Sequence, residues 1–214
     1  MIKVLLVDDH DLVRMGIRRL LEDASGIEVV SEVSTGEEAV QYCRANVPDV
    51  VLMDVNMPGI GGLEATKKII RYNPDIKVLI LTVHIEDPFP TKVMQIGASG
   101  FLTKNTPPQE MIQAIKAVKS GQRYITPGIA QKMALSQFNK PDESPFSSLS
   151  ERELQIMMMI TRGEKVVDIS DQLSLSSKTI NSYRYRMFDK LSVSNDVELT
   201  HLAIRYGMLN TEML

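Results

Sequence analysis

Five short, continuously apolar runs dominate the first 120 residues, and each is followed by a segment with helical periodicity. The runs cover residues 2–7, 27–33, 49–53, 76–81 and 100–102. Apolar side chains at successive positions are typical of parallel strands whose sheet is covered on both faces. Five such β-α units predict a doubly wound α/β domain with right-handed crossovers over residues 1–121.

The segments between the runs carry helix signals. The predicted helices cover residues 12–22, 37–45, 63–72 and 110–119. Thr35 followed by Glu38 fits a capping box, in which the two side chains satisfy backbone N–H groups at a helix start. The glycines at 59, 61 and 62 follow no phosphate-loop spacing, so we interpret them as the turn after the third strand.

After residue 121 the strand-like runs stop. Residues 122–147 contain several Pro and Gly, which predicts a linker with one short helix at 129–138. Ser150 and Glu153 form a second capping box. From residue 148 to 214 the pattern predicts four short helices, hence a small all-α domain. Helices at 166–173 and 178–191, joined by a Ser-rich turn, have the helix-turn-helix arrangement.

Composition excludes several classes of protein. The 214 residues carry a net charge of -3, so the chain is not a wholly basic nucleic-acid protein. The single cysteine, Cys43, excludes an internal disulfide framework. No apolar run approaches the roughly 18 residues of a membrane span. The first residues lack a signal-peptide pattern, and we therefore expect a cytoplasmic protein.

Polar side chains end four of the five predicted strands. Because ligand sites of open parallel sheets form beyond the carboxyl ends of the strands, these side chains are expected to meet. An all-oxygen cluster with phosphate partners suits Mg²⁺, and a carboxylate beside it can attack a phosphoryl group. The alternative is that the acids lie in surface loops and simply cap strands and helices. The residues are Asp8 and Asp9 after the first strand, Asp54, Thr82 and Lys104.

Positive charge in the second domain is concentrated on the helix at 178–191. Its buried stripe is predicted at Ile180, Met187 and Leu191. The opposite face has few acids and many hydrogen-bonding groups, which fits insertion into the DNA major groove. The charge of this helix alone favours the alternative, a solvated helix face, and the fuller motif described below favours DNA binding. The candidate DNA contacts on this helix are Lys178, Thr179, Asn181, Ser182, Arg184, Tyr185, Arg186 and Lys190.

Four segments of the first domain resemble the receiver domain of two-component response regulators, a CheY-like, flavodoxin-like fold. They are VDDH at 7–10, MDVNMPG at 53–59, LT at 81–82 and LTK at 102–104. The resemblance implies that Asp54 accepts a phosphoryl group from a sensor histidine kinase. It implies Mg²⁺ binding by the carboxylates of Asp9 and Asp54, by Asp8 through water and by the Asn56 carbonyl. The implied catalytic and switch residues are Lys104, Thr82 and Phe101.

The second domain resembles the LuxR-type (NarL/FixJ) DNA-binding domain. The matching segments are LSERE at 149–153, ISDQL at 169–173, LSSKTI at 175–180 and KLSV at 190–193. Asn181 and Tyr183 stand where many members have Lys and His. The pairing is similar to the GacA/UvrY/VarA group, notably in KTINSYRYR at 178–186. That similarity implies a hybrid sensor kinase, a homodimer on activation, and activation of small regulatory RNA genes.

We therefore predict a phosphorylation-controlled transcription regulator that is not an enzyme. One alternative is a Mg²⁺-dependent phosphohydrolase that uses Asp54. Such enzymes carry a second acid two residues after the nucleophile, where this chain has Asn56. Another alternative is a receiver whose C-terminal helices bind a protein instead of DNA.

Overall fold

The computed structural model describes residues 1–55, 57–82, 89–138, 145–206 and 208. The chain divides into two compact units, one consisting mainly of residues 1–85 and 93–130, the other mainly of residues 131–214. Each unit has its own buried core. The candidate metal ligand Asn56 lies outside the described residues.

A parallel sheet forms the centre of the first unit. Its strand order is β2-β1-β3-β4-β5-β6, which contains the 2-1-3-4-5 order of doubly wound flavodoxin-like folds. All five residues of the third strand are buried, as a strand covered on both faces requires. This confirms the predicted fold class. The strands are β1 (Ile2–Val7), β2 (Ile27–Val33), β3 (Val50–Asp54), β4 (Lys77–Thr82), β5 (Gly100–Thr103) and β6 (Tyr124–Ile125).

Helices follow the strands in the order that the sequence predicts. The Thr35 side chain accepts a hydrogen bond from the Glu38 backbone, and the Glu38 carboxylate accepts one from the Thr35 backbone, so the capping box is confirmed. Burial raises the pKa of the Cys43 thiol to about 12. The helices are α1 (Asp11–Glu22), α2 (Gly36–Ala45), α3 (Gly61–Tyr72), α4 (Phe89–Gln95), α5 (Pro108–Lys119) and α6 (Pro127–Phe138).

One of these elements, β6, was not predicted, and another, α4, was predicted without bounds. Strand β6 has only two half-buried residues, too few to show a periodicity, and it pairs with β5 at Gly100 and Phe101. Helix α4 has seven residues, which is less than two full turns. So short a segment gives no clear helical periodicity in the sequence.

The second unit contains the four predicted helices, preceded by a 3₁₀ turn at Pro145–Ser148. Its core includes Phe146, Leu154, Met157 and Ile180, none of which is exposed to solvent. Ser150 and Glu153 form the predicted capping box at the first helix. The helices are α7 (Glu151–Thr161), α8 (Val166–Gln172), α9 (Ser177–Leu191) and α10 (Asp196–Arg205). Among the described residues, no helix combines the length and the apolar character that crossing a membrane requires.

Candidate functional site

The carboxyl ends of β1, β3, β4 and β5 converge at one edge of the sheet. Register places Val7 beside Met53, Asp54 beside Leu81, and Thr82 beside Thr103. Asp8, Asp54 and Thr82 are buried there, although each is polar. Buried carboxylates without a compensating cation are costly, so this edge requires a positive charge.

Lys104 supplies that charge. Its Nζ lies 2.7 Å from Asp8 Oδ2 and 2.8 Å from Asp54 Oδ2. Burial alone lowers the pKa of Lys104, but the two carboxylates outweigh burial and the pKa is raised. The ammonium therefore stays charged and holds the two acids together.

The acids retain capacity for a second cation. Asp8 Oδ2 and Asp9 Oδ1 are buried and accept no well-directed hydrogen bond within the described residues. Lys104 Nζ lies 2.7 Å from Asp8 Oδ2, and His10 Nδ1 lies 2.9 Å from Asp9 Oδ1. Possible ligand atoms of Asp8, Asp9, His10 and Asp54 all lie within 4.8 Å of one another. The carboxylate oxygens of the three acids fit Mg²⁺, which prefers carboxylate and water ligands.

His10, the last residue of the VDDH motif, is 60% exposed and lies beside the acids. Its backbone N–H donates to Asp8 Oδ1 over 2.9 Å, and its Nδ1 lies 2.9 Å from Asp9 Oδ1. The sequence signal for these contacts is the position of His10 directly after two acids and before the start of α1. Asp11, one residue further, is 80% exposed and contacts Arg14 Nη2 at 2.5 Å, away from the cluster.

The segment after Asp54 leaves no space for a side chain at Gly62. The Gly62 N–H donates to the Val55 carbonyl over 3.0 Å. A Cβ at Gly62 would lie only 1.8 Å from the Asp54 carbonyl oxygen. The Glu37 carboxylate accepts a hydrogen bond from the Ile60 backbone at 2.9 Å, which ties α2 to this turn. Gly59 therefore lies in the turn after Asp54, whereas Gly61 and Gly62 begin α3.

The two candidate switch residues, Thr82 and Phe101, are both buried in the first unit. Thr82 is fully buried at the end of β4. Phe101, which is fully buried in β5, pairs with Ile80 of β4.

The outer and inner faces of α9 divide as the sequence predicts. Ile180, Met187 and Leu191 are buried, together with Phe188. Lys178, Ser182, Tyr185 and Asp189 are exposed. Helix α8, a turn through Ser174 at φ 51° and helix α9 form the helix-turn-helix. The Ser176 hydroxyl caps α9 by accepting from the Thr179 backbone at 3.1 Å.

The basic residues of α9 are not equivalent. Arg184 binds Asp196 and Asn181, while Lys190 Nζ lies 2.6 Å from Glu153 Oε2. The Arg186 guanidinium stacks over the Tyr183 ring at 4.5 Å, and its Nε is 4.0 Å from Glu153. Lys178 has no ion-pair partner within the described chain. Its charge at a helix N-terminus opposes the helix dipole, as expected of a residue that meets an external anion.

Glu153 is the buried acid that organises this end of α9. Burial alone raises the pKa of Glu153, but Lys190 and hydrogen bonds from Ser150 outweigh it and the pKa is lowered. Lys190 Nζ also donates to the Ser148 carbonyl over 3.3 Å. The start of α7 and the end of α9 are thus joined through one carboxylate.

Comparison with known families identifies both units. Residues 4–116 match the response regulator receiver domain, and residues 147–203 match the bacterial regulatory proteins of the luxR family. The chain belongs to the LuxR-type response regulators, which confirms the family predicted from its motifs.

Full-length relatives support the same assignment. The chain is 66% identical to the response regulator UvrY of Escherichia coli K12 over 215 residues, covering 100% of this chain and 99% of the relative. It is 58% identical to the response regulator GacA of Pseudomonas aeruginosa PAO1 over 211 residues, covering 98% and 99%.

A solved structure gives a similar result. RcsB of Salmonella enterica serovar Typhimurium, bound to the promoter rprA in the presence of the phosphomimetic BeF3-, aligns with a TM-score of 0.67 and 25% identity. The alignment covers 94% of this chain and 98% of that one.

Proposed function

We propose that this response regulator accepts a phosphoryl group on Asp54 and thereby controls its binding to promoter DNA through α9. The observation that carries the first half is the Lys104 ammonium between the buried carboxylates of Asp8 and Asp54. The proposed domains are the receiver at 1–121, a linker at 122–147 and the DNA-binding domain at 148–214.

The chemistry is a phosphoryl transfer from a phosphohistidine of a sensor kinase, of the hybrid type. An Asp54 carboxylate oxygen forms the new bond to phosphorus while the phosphorus–nitrogen bond breaks. The electron pair stays on the ring nitrogen, and the histidine leaves as neutral imidazole because its other nitrogen carries a proton. Lys104 then pairs with a phosphoryl oxygen, and the Thr82 hydroxyl donates to another.

Magnesium is the cofactor that this donor set suits. Asp9 and Asp54 would hold it by carboxylates, Asp8 through water, and Asn56 by its backbone carbonyl. When bound, Mg²⁺ neutralises charge on the phosphoryl oxygens during transfer. With Asn56 two residues after Asp54, the chain lacks the second acid of a phosphohydrolase, so we propose no enzymatic turnover.

The output is promoter binding by a homodimer. The RcsB structures, one with promoter DNA and a phosphomimetic and another with two dimers on two DNAs, support this part of the proposal. Lys178 and Arg186 would bind phosphates, while Asn181, Ser182 and Tyr185 would face base edges. Because promoter DNA is the proposed ligand, we propose that the protein acts in the cytoplasm. By likeness to the UvrY and GacA relatives, we propose small regulatory RNA genes as targets.

Labelling tests the acceptor. With radiolabelled acetyl phosphate and Mg²⁺, the full chain should incorporate phosphate, and Asp54→Asn should not. The matched control is Asp11→Asn, which removes an exposed acid next to the cluster and should label like the wild type. Comparable labelling of Asp54→Asn would refute the assignment.

A further inference from the structure

Arg184 contacts Asn181, one of the residues that we propose to face DNA bases. Its Nη1 donates to Asn181 Oδ1 over 2.7 Å. The guanidinium is itself fixed, because Nε donates to Asp196 Oδ1 over 3.1 Å and Nη2 bonds Asp196 Oδ2. Its central carbon lies 5.7 Å from the centre of the Phe188 ring. Only 22% of the Arg184 side chain is exposed, so it acts as a clamp between α9 and α10.

The chemistry of arginine determines which end of the Asn181 amide it meets. A guanidinium has five donors and no acceptor, so the atom facing Nη1 is the amide oxygen. This removes the ordinary ambiguity between oxygen and nitrogen in an asparagine side chain. The amide nitrogen is the other end, and no acceptor among the described residues takes its hydrogens.

Clamping changes what Asn181 offers to a base. An asparagine reads adenine with both ends of its amide, accepting from N6 and donating to N7. Here Arg184 Nη1 already occupies one lone pair of the Asn181 oxygen, and the positive charge of the guanidinium disfavours a second N–H donor at the other. Guanine presents two neighbouring acceptors, N7 and O6, which suit a group that only donates.

We propose that Arg184 and Asp196 convert Asn181 into a donor-only group that selects guanine and rejects adenine. The proposal rests on the DNA-binding function proposed above. Arg184 is then a positioning residue, which acts on sequence preference through Asn181 without touching DNA. The same clamp accounts for the low exposure of Arg184 on a helix whose other cations are more exposed.

The test is selection of randomised DNA duplexes by the full chain, treated with acetyl phosphate and Mg²⁺, followed by sequencing. The wild type should enrich guanine over adenine by about tenfold at one position of each half-site. Arg184→Met keeps an apolar stem over Phe188 and frees the Asn181 oxygen, so that position should change to adenine. The matched control, Arg186→Met, removes the same charge from the same helix and should weaken binding while retaining guanine.

Asn181→Asp provides a second variant with little risk to folding, because its carboxylate still pairs with Arg184. It has no donor and should lose the guanine enrichment. Unchanged guanine preference in Arg184→Met or in Asn181→Asp would overturn the proposal while leaving DNA binding intact. If the wild type enriches no sequence at all, the DNA-binding function fails and this inference fails with it.

Discussion

At the scale of single residues, the receiver edge is an electrostatic balance between buried acids and one lysine. Lys104 compensates Asp8 and Asp54, whereas Asp9 lies beside the His10 ring, with His10 Nδ1 2.9 Å from Asp9 Oδ1. The remaining negative charge fits the divalent cation that we propose for this edge. Asp9 contributes to that charge without taking part in the Lys104 contacts.

Asp9→Ala should therefore weaken Mg²⁺ binding to the full chain by at least tenfold, about 1.4 kcal/mol. Asp11→Ala serves as control because Asp11 is exposed and turned toward Arg14. Isothermal titration of both variants with MgCl₂ measures the effect. Equal affinities for the two variants would show that Asp9 is not a ligand.

The sequence allowed the acid cluster to be predicted because strand ends follow from the apolar runs and parallel strands share an edge. It did not allow the role of Arg184 to be predicted. That role depends on Asp196, twelve residues further along the chain, and so on the packing of α10 against α9. For the same reason the pairing of Lys190 with Glu153, 37 residues apart, was not foreseen.

At the scale of elements, the close approach of the start of α3 to the end of β3 fixes the backbone at Asp54 and Val55. Only a residue without a Cβ fits at position 62, where the helix start meets the Asp54 carbonyl. The sequence pattern predicted the turn but gave no information on this distance. The two-residue strand β6 was missed for a related reason, since its place depends on pairing with β5.

Gly62→Ala should destabilise the chain by about 1–3 kcal/mol, because the added methyl forces the backbone apart. Gly16→Ala is the matched control: it lies within α1 with no atom within 4 Å of the added carbon. That change should stabilise by about 0.5–1 kcal/mol through helix propensity. Urea unfolding of both variants, followed at the receiver transition, gives the two values. A neutral Gly62→Ala would contradict the close approach.

The link between α7 and α9 through Glu153 has a pH signature. The folded-state pKa of Glu153 lies below its ordinary value of 4.5, so its contribution is present above that pH and is lost as the pH falls through the folded-state pKa. Glu153→Gln should cost about 1–3 kcal/mol at neutral pH and should reduce the loss of stability on acidification.

Thermal unfolding of wild type and Glu153→Gln across the range from neutral to acidic pH measures this effect. Glu198→Gln is the control, because Glu198 is an exposed acid that also caps a helix start, at α10. A constant difference between Glu153→Gln and wild type at every pH would contradict the lowered pKa.

At the scale of the whole molecule, one chain carries the proposed phosphoryl-acceptor edge in its first unit and a helix-turn-helix in its second. Two such sites are coupled when phosphorylation stabilises one conformation of the chain more than another, and the two conformations differ in their affinity for DNA. The fold of each unit was predictable from sequence, because apolar periodicity and capping boxes are local signals. The coupling was predictable only as an implication of family resemblance.

The central claim is that phosphorylation of Asp54 controls DNA affinity, and one measurement tests it most directly. Fluorescence anisotropy gives the affinity of the full chain for a selected duplex, with and without acetyl phosphate and Mg²⁺, for wild type and Asp54→Asn. Phosphorylation should tighten wild-type binding by about tenfold, within the usual range of coupling energies, and leave Asp54→Asn unchanged. Equal responses of the two proteins, or no response of the wild type, would contradict the account.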